Sequence, residues 1–193
     1  MADCRPVTTP MATTRKELYT LGSQEVDPTL YRQLIGSLMY LVNTRPDICF
    51  TVNTLNQFIV LRYIQGTMDY GLDYVQGGGV RLTGYTDSDW ARSVSDRKST
   101  SGCCFGLGSA VVSWLSRKQK SVALSSSEAE YMAASQAGCE AIWLRKILHG
   151  LFDLELGPTL IHCDNQSCIK LTENPVFHER TKHISIKYHF IRD

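Results

Sequence analysis

Asp87 and Asp89 stand one residue apart in "RLTGYTDSDWA", where an apolar run ends in two acids. Two more acids occupy comparable places: Glu130 in "SSSEAEYMAAS" and Asp164 directly after "TLIHC". Carboxylates gathered at strand ends bind hard divalent cations. Oxygen ligands select Mg²⁺, with Mn²⁺ as the near equivalent. Shared carboxylates can hold two such ions about 4 Å apart for phosphodiester hydrolysis. Each acid also has a plainer role available. Asp164 before "NQS" could cap a helix, and Asp89 could pair with a nearby Arg.

For Glu130 the competing role is a capping box, because Ser-x-x-Glu occurs twice, at Ser125–Glu128 and Ser127–Glu130. Helical spacing separates the two. Steps of four and three from Glu130 meet Ala134, Ala137, Ala141, Leu144 and Leu148, an apolar stripe. The same steps from Glu128 meet Met132, Ser135, Cys139, Ile142 and Lys146, a mixed one. Glu128 is therefore the better cap and Glu130 the better buried acid. A buried carboxylate is costly unless it is paired or bound to metal.

Elements must bring these acids together. "VRLTGYTD" reads as a strand, and "GCCFGLGSAVVSWLSRK" as two strands joined at Gly108-Ser109. "SSSEAEYMAASQAGCEAIWLRKILHGL" is a long helix closing at Gly150, and "TLIHCD" is a short strand. "NQSCIKLTEN" is a short helix, and "ERTKHISIKYHFIRD" a last one. This order implies an α/β mixed sheet with helices against it, where ligands bind at strand ends. Upstream, residues 1–27 read as a flexible arm. Residues 28–79 read as helical, broken at Pro46, with an apolar pile-up from Phe58 to Leu61. "GGG" at 77–79 marks a boundary before a domain at 80–193.

The bulk numbers narrow the classes. Of 193 residues, 43% are apolar and 20% charged, an ordinary globular balance with a core. The net charge of +1 gives no global basic footprint. Seven cysteines without a CxxC pair read as reduced thiols, so an intracellular location is expected. No signal peptide or membrane span is visible. Arg97, Lys98, Arg117, Lys118 and Lys120 could contact phosphates, or simply be solvated. Trp90 and Trp114 could stack on bases, though such residues are more often core, and His162, His178, His183 and His189 lack a zinc spacing.

Together, "GYTDSDWA", "DRKSTSG", "SWLSRKQKSVALSSSEAEYMAAS", "EAIWLRKIL", "IHCDNQSCIKL" and "NPVFHERTKHISIKYHFIRD" resemble the ribonuclease H region of copia-type LTR retrotransposon Pol polyproteins. "CRPVTTPM" and "YRQLIGSLMYLVNTRPDICFTVN" resemble the end of their reverse transcriptase and its connection. The resemblance implies a ribonuclease H-like fold that cuts the RNA strand of an RNA–DNA hybrid with Mg²⁺ held by Asp87, Glu130 and Asp164. Asp89 then lies behind or beside the ligands.

Three departures from the family pattern carry expectations of their own. Val60 runs straight into Leu61 where the family has a further segment, and Ser185 stands where many members have an acid. The family also continues past "HFIRD" with a strand and an acidic helix. A chain lacking these is expected to cleave hybrid slowly or not at all, and to self-associate through an open edge at residues 159–164. The alternative reading is a non-catalytic transposon remnant that binds nucleic acid or protein, in the manner of an effector.

Overall fold

The computed structural model describes residues 5–11, 27–53, 57–75, 77, 79–93, 95–173, 188 and 191. The chain divides into two compact units, Met1–Leu72 and Asp73–Asp193, seven residues before the boundary expected from "GGG".

In the first unit, α1 (Pro28–Leu41) starts where the sequence predicts. Asp27 caps it by accepting from the Thr29 N–H, and Pro28 fills the first turn, where no N–H is needed. A single 3₁₀ turn (Pro46–Ile48) then leads into α2 (Cys49–Asn53) and α3 (Gln57–Gly66). The apolar run at 58–61 does not break α3. The helix passes straight through Val60–Leu61, with Val60 buried and Leu61 and Ile64 packed beside it. Arg45 is buried but satisfied. It forks onto Asp47, donates to the Thr67 carbonyl and hydroxyl, and lies 5.9 Å from the Tyr63 ring centroid. Within the expected flexible arm, residues 5–11 are docked rather than loose. The Val7 N–H donates to the Arg62 carbonyl, and Arg62 Nε donates to the Arg5 carbonyl. The remainder of the arm lies outside the described residues.

The second unit is mixed α/β. Its four strands are β1 (Leu82–Asp89), β2 (Thr100–Leu107), β3 (Ala110–Lys118) and β4 (Leu160–Cys163), ordered β3-β2-β1-β4. The hairpin turn falls at Gly108-Ser109 as predicted, with Gly108 at φ +64°, a conformation that glycine adopts without strain. β1 pairs antiparallel with β2 and parallel with β4. Alternate residues of β1, from Leu82 through Gly84 to Thr86, turn inward. Leu82 joins Cys103 and Phe105 in one core cluster with Ala137, Ala141 and Leu144 of the helix α4 (Ser126–Phe152). β4 is the outermost strand on its side among the described residues.

α4 runs two residues past Gly150 and ends on Asp153, which takes the left-handed cap at φ +52°. Its stripe of Ala134, Ala137, Ala141, Leu144 and Leu148 is buried, as the spacing predicts. Residues 128–135 are buried on every side, Met132 and Ser135 included. After β4, α5 (Gln166–Glu173) packs Cys168 against Tyr131. The last helix predicted from "ERTKHISIKYHFIRD" lies outside the described residues, as do Ser185, His178, His183 and His189. Tyr188 and Ile191, which are described, pack against the α4–α5 cluster.

Candidate metal centre

The register of the parallel pair puts two acids side by side. Tyr85 faces His162 and Thr86 faces Cys163, so the next residues along the two strands are Asp87 and Asp164. β1 continues two residues beyond Asp87, to Asp89, so Asp87 lies within the strand and not at its end. Glu130 approaches from the second turn of α4. Its Oε1 accepts from the Ser88 N–H at 3.1 Å, while its Oε2 is buried with no hydrogen-bond partner. Glu130 is only 5% exposed, against exposed Asp87 and Asp164.

Potential ligand atoms of Glu130, Asp164 and Cys163 lie within 4.8 Å of one another. Asp87 is not in that cluster, but its charge is felt there. Burial pushes the Glu130 carboxyl from its ordinary 4.5 up to about 7. The Ser88 N–H pulls the other way, and the charges of Asp87 and Asp164 add to the rise. An unpartnered buried carboxylate oxygen among further acids is costly as it stands, and it is the donor that a hard divalent cation uses. The residues present therefore fit Mg²⁺ or Mn²⁺.

The plainer roles are taken by neighbours. Ser125 caps α4 by accepting from the Glu128 N–H, and the Glu128 carboxylate accepts from the Leu124 N–H at 2.7 Å. Glu128 is thus the capping acid, as the spacing predicts, though it is as buried as Glu130. Asn165, not Asp164, caps α5 by accepting from the Cys168 N–H at 2.9 Å. Asp164 is left without a capping duty. The Asp89 carboxylate accepts from the Thr100 N–H and closes the β1–β2 ladder, so it holds the strand end instead of pairing with Arg.

Two residues of the site escape sequence reasoning. In the sequence Cys163 is one scattered thiol, yet its sulfur lies within 4.8 Å of a Glu130 carboxylate oxygen. Burial pushes its thiol pKa up, while hydrogen bonds from the Asn165 N–H and the Cys168 thiol pull it down. Gln119 sits in "SRKQKS", a run that looks solvated, yet it is buried. Its Nε2 donates to the Ala129 carbonyl and the Ser101 hydroxyl at 2.9 Å each, and to the Ser88 hydroxyl at 3.2 Å. It ties both strands to α4 next to Glu130. Gln119→Ala removes all three bonds, the one to the buried Ser101 hydroxyl included, and is expected to cost about 1–3 kcal/mol. Urea unfolding followed by circular dichroism reads the loss, and a variant as stable as the parent removes Gln119 from this role.

The basic residues lie at the same end of the sheet as the acids. β2 begins and β3 ends there, with Thr100 facing Lys118 and Ser101 facing Arg117. Arg97 and Lys98 precede β2, and Lys120 follows β3. Lys118 is engaged with Asp96 at 2.9 Å. Hydrogen bonds from Ser93 and then Lys118 hold the Asp96 carboxyl down, at about 2. Trp90 is 54% exposed at this end and donates Nε1–H to the Ala123 carbonyl, so it is not a core residue as expected. Trp114 is half-buried, opposite Cys104. His162 stacks on Tyr85 with centroids 4.9 Å apart. No described helix is long and apolar enough to cross a membrane.

The chain is similar over its whole length to retrovirus-related Pol polyproteins. It is 42% identical over 206 residues to the one from transposon RE2 of Arabidopsis thaliana. It is 38% identical over 218 residues to the one from transposon TNT 1-94 of Nicotiana tabacum. It spans 14% and 16% of the lengths of those two polyproteins. Over 59% of its length it is also 48% identical to secreted RxLR effector protein 161 of Plasmopara viticola, covering 90% of that protein. No family model and no solved structure matches the chain.

Proposed function

Because the chain belongs to the copia-type retrotransposon Pol polyproteins, we propose that its second unit is their ribonuclease H-like region, a carboxylate–metal site for hydrolysing the RNA strand of RNA–DNA hybrids. The observation that carries this reading is the buried, unpartnered Glu130 oxygen among Asp164 and Asp87, at the sheet end that also bears the basic residues.

In this reading Asp87, Glu130 and Asp164 hold Mg²⁺, or Mn²⁺ in its place. Bound there, the ion supplies Lewis acidity to a phosphate oxygen and lowers the pKa of a water. The chain's own residues position the substrate. Asp87 in β1 and Asp164 directly after β4 follow the last paired residues of two adjacent strands, and the Ser88 N–H holds Glu130 Oε1. Arg97, Lys98, Arg117, Lys118 and Lys120 take phosphates of the hybrid without reading sequence, so affinity falls with salt.

The first test is metal linkage. Millimolar Mg²⁺ is expected to raise the melting temperature of the protein, since a ligand at 100 times its Kd stabilises by about 2.7 kcal/mol. Asp87→Asn is expected to lose that rise. If Asp87→Asn and the parent respond to Mg²⁺ identically, Asp87 is no ligand. The second test is binding to an RNA–DNA hybrid against duplex DNA at matched salt. The hybrid is expected to bind more tightly, whereas equal weak binding to both speaks for a remnant without hybrid recognition.

A further inference from the structure

Cys163 has no part in an Mg²⁺ site, because a thiol is a poor ligand for a hard cation. Its sulfur nevertheless lies in the same 4.8 Å cluster as the Glu130 and Asp164 oxygens. We propose that Cys163, Glu130 and Asp164 form a mixed sulfur–oxygen site for Zn²⁺, which overlaps the Mg²⁺ site and competes with it. The proposal rests on the reading of Glu130 and Asp164 as metal ligands and adds a third donor of different chemistry.

Three observations support it. First, the unpartnered Oε2 of Glu130 is buried within the cluster, so an ion there relieves an existing cost. Second, the strand end that carries the thiol is fixed. Cys163 ends β4 in register with Thr86 of β1, and it packs in one cluster with the buried Cys168 and Tyr131. Third, the spacing suits the ion. Ligand atoms around tetrahedral Zn²⁺ stand roughly 3.5 Å apart, given bonds of about 2.0–2.3 Å. Asp164 is exposed, so its side chain is free to turn and close the difference. Three protein ligands leave a fourth position open to water.

The ions divide the site by softness. Mg²⁺ uses the carboxylates and ignores the sulfur, whereas Zn²⁺ recruits the thiolate and releases its proton to solvent. Because Glu130 and Asp164 serve both, Zn²⁺ excludes Mg²⁺ from them. Asp87 serves Mg²⁺ alone, so substitutions at Asp87 and Cys163 separate the two ions.

The test uses the full chain, freed of metal and reduced with a phosphine, with Co²⁺ as the spectroscopic stand-in for Zn²⁺. The parent is expected to develop a near-ultraviolet sulfur-to-cobalt charge-transfer band, bleached by Zn²⁺. Cys163→Ser is expected to lose the band and to weaken Zn²⁺ binding by more than about tenfold, since even groups behind a ligand matter that much. The same variant should keep its Mg²⁺-induced rise in melting temperature, which also shows that it is folded. Cys139→Ser, which removes an exposed thiol of α4, should leave the band intact. A band that persists in Cys163→Ser, or a parent that binds neither Co²⁺ nor Zn²⁺, overturns the proposal. A parent with the band but no Mg²⁺ response retains the sulfur site and removes the Mg²⁺ reading alone.

Discussion

Raising the pH from 4.5 to about 7 in metal-free buffer is expected to destabilise the protein by roughly 2 kcal/mol through Glu130 alone. The folded carboxyl titrates near 7 and the unfolded one at 4.5, so between these values the folded chain keeps a proton that the unfolded chain has released. The stabilising contribution is therefore full below 4.5 and is lost as the pH rises through about 7. The figure is less than the full shift implies, because water reaches Asp87 and Asp164 at the mouth of the site. Mg²⁺ is expected to reverse the sense, since on the proposed reading it would bind the ionised carboxylate and act most where the free protein is least stable. Glu130→Gln separates the contributions. Its amide oxygen still accepts from the Ser88 N–H, and no charge is buried. The variant is expected to show no such slope, to exceed the parent in stability at pH 8 without metal, and to gain nothing from Mg²⁺. Denaturant melts at pH 4.5 and 8, with chelator and with Mg²⁺, measure all three. Parallel slopes for parent and variant would remove Glu130 as the titrating group.

Glu130 also shows how far the sequence alone reaches. A helical stripe picks it out from Glu128, and the structure gives Glu128 the capping work that this implies. Burial does not separate the two acids, because residues 128–135 of α4 are covered all round by β1, β4, α5 and the Tyr188 region, elements distant in the chain. Helical periodicity reports one face of an isolated helix and is blind to such covering. Asp164 was legible as a strand-end acid, but its freedom from capping rests on Asn165, and either residue could serve that role. Gln119 and Cys163 were not legible. Gln119 lies in a polar run, and only the meeting of three strand ends with α4 buries it. Cys163 carries no spacing signal, because its partners are 33 residues upstream and one residue ahead. In the first unit, α3 carries the second half of the apolar run at 58–61 into the core. Val60 is buried, and Leu61 and Ile64 are half-buried against the same cluster.

The largest loss of stability is expected at the pair Gly84–Phe105, which carries the strand of Asp87. The two residues are cross-strand partners in the β1–β2 ladder. Phe105 is wholly buried, and its ring lies over the space where a Cβ on Gly84 would stand. Such an atom would come 3.0 Å from Cδ1 and Cζ and closer still to Cε1. Glycine is needed here for room, not for backbone freedom. It lets the ring seat between the sheet and Ala137 and Ala141, whose small side chains let α4 come close. Phe105→Ala leaves a cavity at that seat and is expected to cost about 3–5 kcal/mol. That is a large share of the roughly 5–15 kcal/mol that typically holds a domain. Gly84→Ala overfills the same space and is expected to cost about 1–3 kcal/mol. The two effects are coupled, because they concern one volume. In a Phe105→Leu background the added methyl meets a shorter side chain, so Gly84→Ala should cost less there by roughly 0.5–3 kcal/mol. A double-mutant cycle in urea measures that coupling. The Mg²⁺ response should weaken in step, because Asp87 is three residues along β1 from Gly84. Strict additivity in the cycle would show that ring and glycine do not share the space, and the packing account of β1 would then fail.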